Sequence, residues 1–162
     1  MSRAARTAKA VEAPAGEPMR AFSRSLPMLL LRAREAVMDR FRPNLRAHGF
    51  TDQQWRVLRV LVDTGTLSIS ALAEDTCLLM PSLSRILQNL EERGLVSRAA
   101  AADQRSYLIS ITPAGRALFN EAAPISEALV GTERLEQTYA LLEELIAALE
   151  ATDPEGNDPQ KT

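Results

Sequence analysis

The sequence has few of the side chains on which enzymes and metalloproteins depend. It contains one cysteine (Cys77) and one histidine (His48), and aromatic residues make up 4% of the chain. A single cysteine excludes a disulfide framework within the chain and fits a reducing compartment. One histidine and one cysteine form no cluster of metal ligands, and no glycines are spaced as in a phosphate-binding loop. We therefore expect no metal, no cofactor and no catalytic activity.

Long apolar runs are absent as well. No run reaches the ~18 residues that a membrane span requires, and the N-terminus lacks the apolar core of a signal peptide. The 162 residues are 46% hydrophobic, which suits one domain with an apolar core. We expect a cytoplasmic protein without membrane contact.

The net charge of −2 hides a segregation of opposite charges. Between Arg20 and Arg59 there are nine arginines and three acidic residues, whereas ten acidic residues and two basic ones follow from Phe119 onwards. Affinity for DNA depends on the local field of the docking face. Arginine supplies 17 of the 19 basic residues and favours bidentate contacts to phosphate or guanine. The charge pattern thus permits DNA binding without proving it.

Helical periodicity marks both ends of the chain. Apolar residues recur at threes and fours from Leu26 to Ala47, where Pro43 argues for a kink or an early end. A later helix begins with Thr112 as cap and Pro113 at the first position. After a break at 131–132, the last helix has an apolar stripe and an acidic opposite side. A terminal helix this apolar needs a partner, which we expect to be a second copy of the chain.

The centre of the chain begins with short helices. Thr51 and Gln54 fit a capping box, in which the two side chains satisfy each other's backbone N–H groups. Ser68 suits the cap of the next helix, because its hydroxyl can accept from a free N–H of the first turn. Pro81 suits the first position of a third helix, and Gly94 ends that helix.

A β-hairpin is predicted after Gly94. Residues 95–98 form one predicted strand, and residues 106–111 alternate as a second. Residues 99–105 form the loop between them, and Leu67 fits a short edge strand beside them. Two helices joined by a tight turn and followed by a hairpin make a winged helix-turn-helix.

The outer face of the third short helix is unusual for a solvated surface. It carries serine, arginine, glutamine and asparagine, which hydrogen-bond to base edges and phosphates. We expect this face to read the major groove of DNA. Its residues are Ser82, Ser84, Arg85, Gln88 and Asn89.

Further DNA contacts are predicted outside this helix. At the hairpin tip, Arg105 is expected to enter the minor groove, where the negative potential is strongest. Asp103 would brace it through a charge-assisted hydrogen bond. Arg98 is expected near phosphates, and Ser68 and Ser70 would hold the DNA backbone.

The order of these motifs resembles the MarR family of bacterial regulators. The motifs are Gly-Leu-Val at 94–96, Asp-Gln-Arg at 103–105 and Ile-Ser-Ile-Thr-Pro-Ala-Gly at 109–115. The stretches 34–43 and 50–59 are similar to the HpaR subgroup of that family, the repressors of homoprotocatechuate degradation.

The resemblance covers about residues 25–150 and implies an architecture. The fold would be mainly α with a small β-hairpin wing. Its N- and C-terminal helices, about 26–47 and 113–150, would form a dimerisation region around a DNA-binding lobe at about 51–111. It implies a homodimeric repressor bound to double-stranded DNA at an inverted repeat. We expect one domain over 21–150, with disordered tails before and after it at 1–20 and 151–162.

The resemblance also implies a small aromatic effector between the dimerisation helices and the winged domain. For the HpaR subgroup the effector class is phenolic or aromatic acids. Such an acid needs a cation for its carboxylate, for which Arg32 and Arg34 are candidates, and a flat apolar wall, for which Met28 and Trp55 are candidates.

A phenol hydroxyl needs hydrogen-bond partners, for which His48 and Ser25 are candidates. These ligand residues also have ordinary alternatives. Trp55 fits a core residue, His48 fits a helix-end residue beside Gly49, and Arg32 fits an ion pair with a glutamate of a second copy.

Two other functional interpretations stay open. Cys77 lies at the predicted turn between two helices, and some members of the family sense oxidants with cysteine, which would make the chain a redox-responsive regulator. A buried structural thiol fits the apolar neighbours Leu78 and Leu79. A winged-helix module that binds protein is the other alternative, but it would predict an apolar helix face and no arginine in the wing.

Overall fold

The structure is a computed structural model that describes residues 22, 25–100, 106–123 and 132–152. It is mainly α-helical with one small antiparallel sheet, as predicted. The elements in chain order are α1 Leu26–Ala47, α2 Asp52–Thr64, β1 Leu67–Ser68, α3 Ile69–Thr76, α4 Met80–Glu92, β2 Val96–Ala100, β3 Tyr107–Ile111, α5 Pro113–Ala122 and α6 Thr132–Thr152.

The chain separates into two compact units, residues 1–36 and residues 37–162. The boundary falls within α1. The described part of the first unit is mainly the N-terminal portion of this helix, where leucines 26, 29, 30 and 31 are exposed. The second unit contains the remaining elements. A single domain over 21–150 stays a prediction. Helix α6 extends two residues into the predicted C-terminal tail, and residues 1–20 and 153–162 of the predicted tails lie outside the described residues.

Helix α1 continues through Pro43 to Ala47, so the early end suggested by this proline is wrong. Proline removes one N–H donor from the helix. Contacts after it hold the last turn in place. Leu45 is buried, and the side-chain amide of Asn44 donates to the backbone oxygen of Ala122 at 2.7 Å. Tertiary packing therefore outweighs the tendency of proline to end a helix.

The predicted N-terminal caps of α2, α3 and α5 are confirmed, whereas Pro81 is the second residue of α4 rather than the first. The side-chain oxygens of Thr51, Ser68 and Thr112 each accept a hydrogen bond from the backbone N–H three residues later. Gln54 completes the capping box, because its Oε1 accepts from the backbone N–H of Thr51 at 2.9 Å. These caps satisfy donors that the first helical turn leaves free, and they fix where α2, α3 and α5 begin.

The core of the second unit lies between α2, α3, α4 and the sheet. Leu83, Leu87 and Leu90 of α4 are fully buried, together with Leu58 of α2 and Ile109 of β3. Burying such a side chain contributes about 1.5–3 kcal/mol. Since α4 packs through one face only, its other face is left on the surface.

The three strands form an antiparallel sheet in the order β1-β3-β2. The edge strand predicted at Leu67 is confirmed and pairs with Ile109. Strand β2 extends to Ala100, where a loop had been expected from Ala99, because Ala99 and Ala100 continue the pairing with β3. The hairpin tip, residues 101–105, lies outside the described residues.

Candidate nucleic-acid interface

Helices α3 and α4 are joined by a tight turn at Cys77, Leu78 and Leu79. Cys77 has φ +50°, the left-handed conformation that ends α3, and its N–H donates to the backbone oxygen of Glu74 at 3.0 Å. Leu78 is buried and anchors the turn to the core. The thiol of Cys77 is exposed. The expectation of a buried structural thiol is therefore wrong, because Leu78 fills that apolar position instead.

The outer face of α4 carries the polar residues expected there. Ser84, Arg85, Gln88 and Asn89 are exposed, and Ser82 is half-buried. Opposite them lie the buried leucines of the core. The structure thus holds a row of hydrogen-bonding side chains on a helix whose other face fixes its position.

Two of these residues already hydrogen-bond within the protein. The side-chain amide of Gln54 on α2 donates to Oδ1 of Asn89 at 2.7 Å, and the amide of Gln88 donates to Glu92 at 3.1 Å. Within the described part of the chain, Arg85 has no hydrogen-bond or ion-pair partner. The N-terminal half of α4 is therefore the half available to a ligand. Sequence reasoning missed the role of Gln54, which lies on another helix.

The wing strands carry a contact that sequence reasoning also missed. The Arg98 guanidinium on β2 lies 3.3 Å from the carboxylate of Glu91 on α4 and 5.4 Å from the ring centroid of Tyr107 on β3. This cluster links both wing strands to α4. Arg98, expected near phosphates, is thus already ion-paired. Asp103 and Arg105 lie outside the described residues.

Breaking the Glu91–Arg98 ion pair should weaken DNA binding, because the pair holds the wing in position beside α4. We expect Glu91→Gln to lower operator affinity by up to about fivefold relative to Glu92→Gln, the magnitude of an exposed ion pair. Glu92 is the matched control, because its replacement removes the same charge while the side-chain oxygen of glutamine can still accept from Gln88. Fluorescence anisotropy on operator DNA measures both variants.

Arg98→Ala separates this role from a phosphate contact. Because Glu91 already neutralises Arg98, we expect this variant to leave the salt dependence of binding unchanged. A fall in the slope of log K against log salt by about 0.9 would show a phosphate contact instead.

Ser68 and Ser70, the predicted backbone contacts, lie at the start of α3. The Ser68 hydroxyl accepts from the N–H of Ala71 at 3.2 Å, and its oxygen lies 3.0 Å from that of Ser70. The Ser68 hydroxyl is therefore already engaged in capping α3, whereas Ser70 is exposed.

Four of the predicted ligand residues lie in the unit formed by residues 1–36. The Ser25 hydroxyl donates to the backbone oxygen of Phe22 at 2.9 Å. Arg34 pairs with the neighbouring Glu35. Met28 is half-buried and Arg32 is exposed.

The other two ligand candidates belong to the second unit. Trp55 is half-buried and stacks on Phe119, with ring centroids 4.2 Å apart and an interplanar angle of 11°. Nδ1 of His48 lies 2.9 Å from the backbone oxygen of Asn44. Both contacts are those of the ordinary alternatives, a core tryptophan and a helix-end histidine. Phe119 was not singled out, although it covers one face of Trp55.

The described residues also bear on two other classes of protein, metalloproteins and membrane proteins. Within these ranges, no group of three or more histidine, cysteine or acidic residues is placed to hold a metal ion. No described helix is long and apolar enough to cross a lipid bilayer.

Comparisons with known proteins give a consistent result. Residues 48–106 match a model of the MarR family. The chain is 43% identical over 131 residues to the homoprotocatechuate degradative operon repressor of Escherichia coli, covering 76% of this chain and 88% of that protein. It is 38% identical over 130 residues to the transcriptional regulator FarR of Neisseria gonorrhoeae, covering 80% of this chain and 83% of that protein.

A solved structure agrees with these relatives. The crystal structure of NadR in complex with 4-hydroxyphenylacetate superposes with a TM-score of 0.68 and 37% identity, covering 82% of this chain and 97% of that chain. Members of this family are non-enzymatic regulators that bind DNA as dimers, as the sequence led us to expect, and NadR binds a small aromatic acid. The chain therefore belongs to the MarR family of winged helix-turn-helix transcriptional regulators.

Proposed function

We propose that the chain is a cytoplasmic repressor that binds an inverted-repeat operator as a homodimer and releases it when a phenolic or aromatic acid binds. The observation that carries the DNA-binding part is the exposed N-terminal half of α4. Its inner face is locked by buried leucines, while Ser84 and Arg85 are exposed. Since an α-helix fits the major groove, this half would contact base edges.

Helix α6 supports a second copy of the chain as partner. Its large apolar side chains stay exposed, with Tyr139 at 53%, Ile146 at 54% and Leu149 at 59% exposure. Burying the exposed half of such a side chain against another protein surface would contribute about 1 kcal/mol. A two-fold dimer would then place two α4 helices roughly 34–36 Å apart on one side of the DNA.

The effector class is supported by the relatives. One is named for homoprotocatechuate degradation, and the structure of another holds 4-hydroxyphenylacetate. A ligand shifts the protein only by binding one conformation more tightly than another. Arg34 already pairs with Glu35, so Arg32 is the better candidate for holding the carboxylate of such an acid.

Release of DNA by an effector tests this proposal. A labelled duplex from the protein's own upstream region, chosen by footprinting, is titrated by fluorescence anisotropy with and without 4-hydroxyphenylacetate. Phenylacetate without the hydroxyl serves as the matched ligand control. We expect the hydroxylated acid to weaken binding at least tenfold and Arg32→Ala to abolish that effect.

Two outcomes would contradict parts of the proposal. Tight operator binding that no hydroxyphenylacetate or hydroxycinnamate weakens would remove the aromatic-acid effector. Release by peroxide that is lost in Cys77→Ser would favour the redox alternative, which the exposed Cys77 thiol permits.

A further inference from the structure

Leu79, immediately before α4, breaks the pattern of the surface around it. Among described residues of the lobe at 51–111, the exposed large hydrophobic side chains are Leu79, at 66% exposure, and Tyr107, at 50%. The ring of Tyr107 is in contact with Arg98. Leu79 therefore stands out as an apolar group presented to solvent at the end of the helix proposed to read DNA.

Leu79 is also unusual for the position that it occupies in α4. It is the N-cap residue of α4 and supplies no side-chain hydrogen bond to the first turn. The caps of α2, α3 and α5 are threonine or serine, and all three make that bond. Serine, threonine, asparagine and aspartate are preferred at this position for the same reason. A residue that breaks two local rules at once is expected at a functional site.

The backbone directs the Leu79 side chain away from the core. Leu79 has φ −66° and ψ 140°, which is extended rather than helical. Its predecessor Leu78 is buried, and its successor Met80 packs partly against the core. Ser84 and Arg85, the polar residues proposed to contact base edges, follow within the next two turns of the same helix.

We propose that Leu79 contacts the 5-methyl group of a thymine in the major groove and so helps determine operator specificity. The N-terminal end of a recognition helix is the end that meets base edges. The thymine methyl is the apolar group that base pairs present in the major groove. This inference rests on the proposed function, because it requires α4 to enter the groove.

The test removes the methyl group from the DNA and the side chain from the protein. Each thymine of the footprinted operator is replaced in turn by deoxyuridine, which lacks the 5-methyl group and keeps the same hydrogen-bonding edge. For the wild-type protein, we expect one position in each half-site to lower affinity about fourfold, as expected for loss of one buried methyl-sized contact. Leu79→Ala should bind the thymine operator about fourfold less tightly than the wild type does. It should bind the deoxyuridine operator as tightly as the thymine operator.

Two further variants keep the test independent of folding. Leu79→Met retains an apolar side chain and should keep most of the sensitivity to deoxyuridine. Leu79→Ser introduces a hydrogen-bonding cap, so it should raise the thermal unfolding midpoint by about 3 °C while losing that sensitivity. A gain in stability together with a loss of discrimination cannot result from misfolding.

The outcomes separate this inference from the proposed function. If no deoxyuridine affects the wild-type protein, or if Leu79→Ala remains as sensitive as the wild type, Leu79 does not read a methyl group. If the wild-type protein binds the operator no more tightly than shuffled DNA, the proposed function fails and the inference fails with it.

Discussion

Replacing Gly115 with alanine is expected to destabilise the protein by about 3 kcal/mol, at the upper end of the usual cost of overpacking. Gly115 is a buried residue of α5. A Cβ atom built there would overlap the backbone oxygen of Leu95 and lie 2.9 Å from its carbonyl carbon. Because the obstacle is backbone rather than a flexible side chain, relief requires α5 to move. The overlap outweighs the roughly 1 kcal/mol by which alanine favours a helix over glycine.

The backbone that this substitution would displace joins α4 to the first strand of the wing. The backbone oxygen of Leu95, between α4 and β2, also accepts from the N–H of Thr112 at 3.0 Å. Urea unfolding at fixed protein concentration measures the loss, with Asn120→Ala as control on an exposed position of the same helix. An unchanged midpoint for Gly115→Ala would show that α5 tolerates a Cβ atom there.

The second large effect is expected from Arg85→Ala, which should weaken operator binding by roughly 5- to 150-fold, the equivalent of 1–3 kcal/mol for one bidentate contact to a base. Arg85 is exposed on the face of α4 that is proposed to contact DNA. Arg85→Lys should recover little, because lysine keeps the charge but not the planar fork of donors. Affinity for shuffled DNA should fall much less than affinity for the operator.

Arg59→Ala is the matched control for this prediction. Arg59 is an exposed arginine of α2 whose side chain binds Asp63 at 2.8 Å. Its removal changes the net charge by the same amount without touching α4. If the Arg59 and Arg85 variants lose the same amount of operator affinity, the loss comes from general electrostatic attraction rather than from a base contact.

The parts of the fold that depend on neighbouring residues were predictable from the sequence. A cap needs only one side chain and the N–H three residues later, so Thr51, Ser68 and Thr112 were identified correctly. Leu83, Leu87 and Leu90, which recur at helical spacing in α4, are likewise its buried residues. Patterns of this kind identify where a helix begins and which face it buries.

The contacts that organise the surface of the site were not predictable in the same way. The hydrogen bond between Gln54 and Asn89 joins residues 35 positions apart, and no local pattern relates them. Arg98 carries the same charge whether it meets a phosphate or Glu91, so only the geometry distinguishes these roles. The exposure of Cys77 follows from one left-handed residue, which composition does not reveal.

If α4 reads a base sequence, the protein must bind its operator more tightly than a shuffled duplex, and the ratio of the two affinities is the measurement to make. The protein is titrated at about 0.15 M salt with its footprinted operator and with a shuffled duplex of equal length and composition. We expect the affinity for the operator to be at least about 10³-fold higher than that for the shuffled duplex, the lower range for specific DNA-binding proteins. Equal affinity for the two duplexes would contradict it.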